Sequence, residues 1–375
     1  MIPPHDVSGP TRAPVLVLSN SLGAGSAMWD LQMPQLRARF RVVRYEQRGH
    51  GGSPTPAPGP YSLDDLGTDL VDLLDHLGVE RASLCGLSLG GMVALWVAAH
   101  HPGRVDRLVL ACTSAELGPA GRWRDRAALV RSASTVSILR DELLERWFTP
   151  GFIAGRPALA GQMAAMLESV DAEGYAGCCE AIGSMDQRSQ LPAVRAATLV
   201  ISGSDDPVTP PAMGLELQEA IPGAALVVLP GASHLANIEQ PSAFTAAVVD
   251  HLAGHVADRG EKMRRRVLGD AHVDRSASGA SHLSAPFTDY ITRNAWGDIW
   301  TRPTLDLRTR SFITVALLAG LGRLEELGLH VTGARRNGLT DEEIVETILH
   351  TAVYAGVPAA NAALRVARPI LESDG

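Results

Sequence analysis

A serine flanked by small and apolar residues is the feature of this sequence that most directly predicts chemistry. Gly86-Leu87-Ser88-Leu89-Gly90 lies between a short apolar run, residues 82–85, and a longer one, residues 92–99. A G-x-S-x-G sequence between a strand and a helix is typical of a nucleophile elbow, in which a tight turn presents the serine hydroxyl. Small neighbours allow the backbone to adopt that turn. The sequence therefore predicts that Ser88 is a nucleophile.

A serine nucleophile needs a base and an acid that orients the base. In the α/β-hydrolase order both follow the serine, first the acid and then the histidine. Asp206, in a loop after an apolar run, is the predicted acid, and the adjacent Asp205 remains the alternative. His234 follows the next apolar run and is the predicted base. Ser88, Asp206 and His234 thus form the predicted catalytic triad.

Two backbone N–H groups are expected to stabilise the oxyanion of such a reaction. One belongs to Leu89, the residue after the nucleophile, and the other to Leu22, in the loop after the first predicted strand. His50 lies in the glycine-rich segment 48–53, which we interpret as a structural loop. Its predicted role is therefore structural and not catalytic.

The elements that must position these residues follow from hydrophobic patterning. Apolar runs alternate with helical periods such as residues 64–77, which predicts a parallel sheet with helices on both faces. The predicted strands are residues 15–18, 41–45, 105–111, 197–203 and 225–229. Between about 116 and 190 the pattern is helical, which predicts a cap inserted over the sheet. The predicted fold class is α/β, an α/β-hydrolase fold with a helical cap.

The 375 residues are more than one compact core usually holds. From Lys262 onward strand-like runs vanish, and a capping-box pattern at 340–343 opens one of the predicted helices. The predicted helices are residues 287–300, 307–321, 323–333, 341–355 and 359–371. Because residues 254–261 are polar and contain two glycines, we predict a hydrolase domain over 1–255 and a small all-α domain over 260–375.

Composition excludes several classes of function. The net charge of −8 argues against a nucleic-acid or anionic-membrane surface. No segment approaches the roughly 20 apolar residues of a membrane span, and the first residues do not resemble a signal peptide. The four cysteines suggest no disulfide framework or metal cluster, so we expect a cytoplasmic protein. Lys262 is the only lysine and lies in a polar segment, which argues against Schiff-base chemistry.

Three segments of the first domain resemble 3-oxoadipate enol-lactonases: residues 19–23, 86–91 and 231–237. Many other α/β-hydrolases have His-Gly where this chain has Asn20-Ser21, so that element is the most discriminating. The resemblance covers roughly residues 12 to 255 and implies a monocarboxylate enol-lactone substrate. Arg188 is a candidate cation for the substrate carboxylate, and a surface salt bridge is the alternative interpretation.

The second domain resembles 4-carboxymuconolactone decarboxylase over residues 260–372. Six segments carry this resemblance: 264–269, 294–303, 305–311, 329–331, 337–344 and 354–360. That family is related to thiol peroxidases with a Cys-x-x-Cys pair, but this domain has no cysteine, which excludes that redox chemistry. Decarboxylation of the lactone needs no cofactor in principle, because electrons from the breaking bond flow through the ring alkene into the lactone carbonyl. Cationic and hydrogen-bonding groups suffice.

Candidate residues for this second reaction are polar side chains of the second domain. His330 is the leading acid-base or oxyanion candidate, and Arg302 and Arg310 are candidate anion binders. Three further candidates share one face of a predicted helix at helical spacing: Glu346, His350 and Tyr354. A small helical domain often completes its core by association, so we expect a homo-oligomer built through it.

The two resemblances lead to one hypothesis. The second domain converts 4-carboxymuconolactone to the enol-lactone, and the first hydrolyses that enol-lactone to 3-oxoadipate, so the partners are small lactone carboxylates. The alternative is an esterase or haloperoxidase-like hydrolase whose helical tail serves only for oligomerisation. Polar residues such as His330, Arg302 and Arg310, which helix packing alone does not require, argue against that alternative.

Overall fold

A computed structural model describes residues 2–54, 58–279, 281, 283–302 and 304–373. The chain divides into two compact units, Met1–Leu252 and Ala253–Gly375. Among the described residues, the helices are all too short or too polar to cross a membrane. Those residues also contain no group of His, Cys, Asp and Glu side chains placed to hold a metal ion.

The first unit is built on a seven-stranded sheet in the order β1-β3-β2-β4-β5-β6-β7. Its strands are β1 (His5–Ser8), β2 (Val15–Ser19), β3 (Arg41–Tyr45), β4 (Ala82–Leu87), β5 (Val105–Ala111), β6 (Ala197–Gly203) and β7 (Ala225–Leu229). All neighbours are parallel except β1, which pairs antiparallel with β3 at the edge. β4 is buried along its whole length, as expected for a strand covered on both faces. The predicted parallel sheet is confirmed; β1 was missed because it is polar and half exposed.

Helices cover the sheet and build the cap. They are α1 (Met33–Leu36), α2 (Leu63–His76), α3 (Leu89–His100), α4 (Ala120–Ala133), α5 (Arg140–Trp147), α6 (Pro150–Gly155), α7 (Pro157–Glu168), α8 (Ala172–Ser184), α9 (Pro211–Ala220) and α10 (Ala236–Glu239). α3 is apolar on all sides and almost wholly buried, which fits a helix enclosed by the core. The helices α4 to α8 lie within the segment that the sequence predicts as the cap.

The second unit is helical. Its elements are the end of α11 (Pro241–Leu268), then α12 (Asp270–Ser278), α13 (Ala285–Ile291), a π-helical stretch (Thr292–Ile299), α14 (Leu307–Gly320), α15 (Leu324–Arg336), α16 (Asp341–Ala355) and α17 (Val357–Leu371). α16 begins with the expected capping box of Thr340 and Glu343. Residues 254–261, which the sequence predicts as a boundary, are helical, and the units divide within α11. Two glycines in this polar segment do not interrupt the helix.

Two candidate active sites

The turn between β4 and α3 has the geometry of a nucleophile elbow. Ser88 has φ 56° and ψ −118°, a conformation that is rare for L-residues and recurs at functional turns. A Cβ atom on Gly86 would lie 2.1 Å from the carbonyl oxygen of Gly90, and one on Gly90 would lie 2.1 Å from that of Ser19. Glycine is therefore required at both positions, because any side chain would collide with backbone.

His234 and Asp206 form a buried hydrogen-bonded pair in the loops that follow β7 and β6. His234 Nδ1 donates to Asp206 Oδ2 at 2.8 Å, and Thr209 Oγ1 donates to the same oxygen at 2.7 Å. The N–H groups of Val208 and Thr209 donate to Asp206 Oδ1 at 2.8 and 3.0 Å. Burial alone would raise the pKa of Asp206, but His234 and Thr209 outweigh it and lower that pKa. Asp206 is thus ionised at neutral pH and fixes the His234 tautomer.

Asp205, the alternative acid, lies elsewhere. Its side chain is exposed, and its Oδ2 accepts a hydrogen bond from Ser204 Oγ at 3.2 Å. The geometry therefore brings Asp206, and not Asp205, to the histidine.

Ser88 lies at the same edge of the sheet as the His234–Asp206 pair. β4, β5, β6 and β7 are adjacent parallel strands, so the loops after them meet at one edge. Ser88 is 5% exposed and His234 3% exposed, so both side chains are shielded from solvent and do not lie on an open surface. No hydrogen bond from Ser88 Oγ occurs among the described residues. Catalytic hydrogen bonds of this kind often tighten only when substrate binds.

The N–H groups predicted to form the oxyanion hole are available. Within the described part of the chain, neither Leu22 nor Leu89 donates its backbone N–H to a protein acceptor. The next N–H, of Gly23, donates to His50 Nε2 at 2.9 Å, while His50 Nδ1 donates to the carbonyl oxygen of Arg48 at 2.9 Å. Burial lowers the pKa of His50 to about 4, so its ring is neutral at pH 7 and can accept. His50 therefore fixes the loop that carries Leu22.

Asn20 holds the other end of the same loop. Its Nδ2 donates to the carbonyl oxygen of Tyr45 at 2.8 Å, and its Oδ1 accepts from Trp29 Nε1 at 2.9 Å. Gln47 Nε2 donates to its backbone oxygen at 2.8 Å. Asn20 is wholly buried, so these bonds satisfy polar atoms that would otherwise destabilise the fold. Asn20, the first residue of the discriminating Asn-Ser element, thus has a structural role.

The cap is fastened to the site at two places. A Cβ atom on Gly23 would lie 2.7 Å from Leu167 Cδ1 and 3.3 Å from Trp147 Cζ2, so cap side chains lie directly on the loop that carries Leu22. Next to His234, Leu235 N–H donates to the carbonyl oxygen of Trp147 at 3.0 Å. Glu239 joins the same two segments, since it accepts from Ser233 N–H and, at 2.8 Å, from Thr149 N–H and Oγ1. These contacts couple the position of His234 to the cap.

Arg188, the candidate for the substrate carboxylate, lies at the surface. Its Nε and Nη2 donate to Asp186 at 2.9 and 2.6 Å, and its side chain is 64% exposed. This bidentate pair lowers the pKa of Asp186 to about 2. The guanidinium is thus already paired.

His330 of the second unit lies against two tryptophans. Its ring centroid is 6.1 Å from those of Trp296 and Trp300, and it stacks on both. Burial lowers the pKa of His330 to about 4, an effect that Glu326 opposes and His272 reinforces. The ring is therefore neutral at pH 7. In that state it can donate one hydrogen bond and accept another, but it lacks the second ring proton of the acidic imidazolium.

The remaining candidates of the second unit lie apart from His330. Arg310 Nη2 donates to the carbonyl oxygen of exposed Arg302 at 2.9 Å, and its Nε donates to that of Leu305 at 3.2 Å. Three candidates lie on an exposed face of α16: Glu346, His350 and Tyr354. The rings of the last two are 5.2 Å apart. Among the described residues no hydrogen bond or ring contact joins the arginines, the α16 face and His330.

Sequence patterns missed three contributors to the first site: Thr209, Glu239 and Trp147. Thr209 was visible as the threonine of an Asp-Pro-Val-Thr turn, a pattern in which aspartate accepts N–H groups two and three residues on. Glu239 and Trp147 carried no comparable signal, because their contacts join segments about 90 residues apart, such as Thr149 and Glu239.

Comparisons with known proteins fit this geometry. Residues 15–248 match the Alpha/beta hydrolase family, and the chain belongs to that family. Residues 285–369 match the Carboxymuconolactone decarboxylase family, so the chain is a fusion of an α/β-hydrolase and a domain of this second family. Both resemblances predicted from the sequence, and the predicted fold class, are confirmed.

Similar proteins exist for each part separately. The chain is 44% identical to 3-oxoadipate enol-lactonase 2 of Acinetobacter baylyi over 240 residues, which are 64% of this chain and 89% of that protein. It is 42% identical to 4-carboxymuconolactone decarboxylase of the same organism over 117 residues, 31% of this chain and 87% of that protein. The crystal structure of the enol-lactonase from Burkholderia xenovorans is 41% identical with a TM-score of 0.65, covering 66% of this chain and 95% of that one.

Proposed function

We infer that this chain is a bifunctional enzyme that catalyses two consecutive steps on a lactone. The second domain decarboxylates 4-carboxymuconolactone to 3-oxoadipate enol-lactone, and the first hydrolyses the enol-lactone to 3-oxoadipate. The main support is that one chain aligns with 89% of the length of a lactonase and 87% of the length of a decarboxylase. A helical tail that served only for oligomerisation is not favoured, because it matches a decarboxylase over nearly its whole length.

We propose that hydrolysis proceeds by acyl transfer to Ser88. His234 removes the proton of Ser88 Oγ as the oxygen attacks the lactone carbonyl, and the N–H groups of Leu22 and Leu89 bind the developing oxyanion. The enol oxygen leaves with the proton from His234. Water, activated by His234, then releases the acyl group. Asp206 stays ionised throughout, as its lowered pKa supports, and stabilises the imidazolium.

Decarboxylation requires a group that stabilises negative charge on the lactone oxygen. As the carboxylate leaves the γ-carbon as CO2, the electron pair passes through the ring alkene to the carbonyl and forms a dienolate. We propose that neutral His330 donates its N–H to that oxygen, since its lowered pKa disfavours the imidazolium. A proton is then delivered to carbon to give the enol-lactone.

The direct test uses the full chain with Ser88→Ala and supplies 4-carboxymuconolactone. CO2 release should continue at the wild-type rate while the enol-lactone accumulates, followed by its absorbance and by chromatography. Hydrolysis should fall on the order of 10⁶-fold, as for removal of other serine nucleophiles. Absence of CO2 from the wild-type enzyme would refute the decarboxylase assignment, and continued hydrolysis by the variant would refute the role of Ser88.

We propose that the second domain also forms a homo-oligomer. Large apolar side chains are exposed on α14 and α16, including Leu317 at 57%, Leu349 at 60% and Val353 at 79%. Contiguous exposed apolar surface marks interaction sites, and a closed symmetric assembly would cover it. Sedimentation should show wild type as an oligomer and Leu349→Glu with Val353→Glu as a smaller species. A monomeric wild type would contradict this proposal.

We further propose a cytoplasmic location. The four cysteines are all free and buried, which fits a reducing compartment. Fractionation of cells that express the chain, probed for enol-lactone hydrolysis, tests this; activity outside the cytoplasm would contradict it.

A further inference from the structure

Three arginines of the second unit lie around His272, whose pKa the charge of each one lowers. Arg264 lies on α11, Arg275 on α12 and Arg336 in the last turn of α15. Among the described residues none of them forms an ion pair, although Glu261 partly offsets the lowering of the Arg264 pKa by burial. Their neighbour Arg265 behaves differently, since it is bound by three carboxylates: Glu261, Asp270 and Asp274. Like charges that are only partly compensated repel one another, and an anion that bound among them would relieve that repulsion.

Packing brings two of these arginines, Arg336 and Arg264, against α12 or the turn before it. A Cβ atom on Gly269 would lie 2.7 Å from Arg336 Nη1 and 2.8 Å from its Nη2, so that guanidinium lies on the turn between α11 and α12. Gly269 is also the N-cap of α12, whose first N–H groups receive no side-chain cap. Arg264 Nη2 donates to Ser276 Oγ on α12 at 3.0 Å. The ends of three helices therefore meet around one cationic surface.

This surface lies next to the tryptophans on which His330 stacks. Val267, on the same helix as Arg264, packs with Trp296, against which His330 stacks. A Cβ atom on Gly333, one turn after His330, would lie 2.9 Å from the carbonyl oxygen of Val267. His272 links the two groups electrostatically: burial and then all three arginines lower its pKa, and His272 in turn lowers that of His330.

We propose that Arg264, Arg275 and Arg336 form the carboxylate-binding subsite of the decarboxylase, beside His330. This rests on the proposed function, whose substrate carries two carboxylates. The subsite binds the carboxylate that remains in the product. Cations bound to the leaving carboxylate would stabilise the substrate more than the transition state and would oppose loss of CO2. Guanidinium groups suit this role, since their planar fork matches a carboxylate.

The test measures kcat and KM for 4-carboxymuconolactone with the full chain. Arg336→Ala and Arg275→Ala are the main variants, because both side chains are exposed and their removal leaves no cavity. We expect KM to rise about 10- to 100-fold for each, with kcat changed less than about 3-fold, as for loss of a charged hydrogen bond. Arg336→Lys should recover part of the affinity. Arg264→Ala adds the half-buried member of the group.

The matched control is Arg368→Ala, which removes an equally exposed arginine, paired with Glu372 on α17. Its KM should equal that of wild type, and enol-lactone hydrolysis should be the same in every variant. If Arg336→Ala and Arg275→Ala match Arg368→Ala in KM, or lose kcat alone, the subsite is refuted while the decarboxylase assignment stands. If the wild-type enzyme releases no CO2, the proposed function fails instead.

Discussion

The two units of this chain present their candidate sites in opposite ways. In Met1–Leu252 the residues proposed for catalysis are buried, and the pair His234–Asp206 is surrounded by hydrogen-bond donors from its own loop. In Ala253–Gly375 most candidates are exposed, and His330 is only half buried. The difference indicates that the first fold preorganises its site within one chain. In the second, most candidate side chains stay at the surface, where we propose that substrate or another copy of the chain covers them.

Topology explains the contrast. Parallel strands end at a shared edge, so loops after β4, β6 and β7 deliver side chains from distant sequence positions to one place. A small bundle of helices has no such edge, and its core residues are apolar side chains such as Val315, Leu327 and Ile344. Polar residues of that bundle are therefore left near its surface.

The largest loss of activity is expected when the proposed triad acid, Asp206, is replaced. Asp206→Asn should reduce kcat for enol-lactone hydrolysis about 10⁴-fold, because the wrong His234 tautomer is stabilised. Asp205→Asn, the matched control, should remain near wild type since that carboxylate is exposed. Steady-state rates of both variants decide between the aspartates, and a larger loss in Asp205→Asn would reverse the assignment.

Replacement of the second site's histidine should have the next largest effect. His330→Ala is expected to slow CO2 release about 10²- to 10⁴-fold, the usual range for an acid-base or hydrogen-bonding group. Hydrolysis of enol-lactone by the same sample should be unchanged. Equal loss in His330→Ala and in His350→Ala, on the exposed face of α16, would show that the tryptophan-lined position is not special.

Loosening the loop that carries Leu22 should reduce kcat less than loss of a triad residue. His50→Ala removes the acceptor of Gly23 N–H, so Leu22 is less well aimed, and kcat should fall about 10- to 100-fold with KM little changed. His50→Gln can place a carbonyl oxygen there and should recover part of the rate. A rise in KM at constant kcat would contradict this positioning role.

Acid should destabilise the first unit through the same histidine. The pKa of His50 is about 4 in the fold, below the ordinary 6.5, so between these values the unfolded chain binds more protons. Stability contributed by the neutral ring is complete above pH 6.5 and is lost as pH falls, by about 2 kcal/mol at pH 5. Urea unfolding at pH 7 and 5 checks this. His50→Gln should lose less stability over that interval than wild type.

The smallest effect is expected at Arg188. Because Asp186 already holds both edges of its guanidinium at the surface, Arg188→Ala should change KM for the enol-lactone less than about 2-fold. A tenfold or greater rise would instead support the carboxylate-binding role that the sequence suggests, and would mean that Asp186 releases the arginine when substrate binds.

Much of the fold could be predicted because its signals are local. Apolar runs marked the central strands, and Thr340 with Glu343 marked the start of α16. The polar edge strand β1 and the continuation of α11 through residues 254–261 were not predicted, since pairing and packing override weak local patterns there. In the candidate sites too, local motifs could be predicted from the sequence and contacts between distant segments could not.

The sequence by itself predicted the order of nucleophile, acid and base, and it determined the joining of two enzyme families in one chain. Motif spacing suffices for both, because each motif is built from residues close together in the chain. Only the tertiary structure decided which aspartate reaches His234 and that His50 accepts from Gly23. It also decided that Arg188 forms an ion pair while, among the described residues, Arg264 and Arg336 form none. Those outcomes depend on contacts between distant segments, where burial and geometry select one partner among several of the same type.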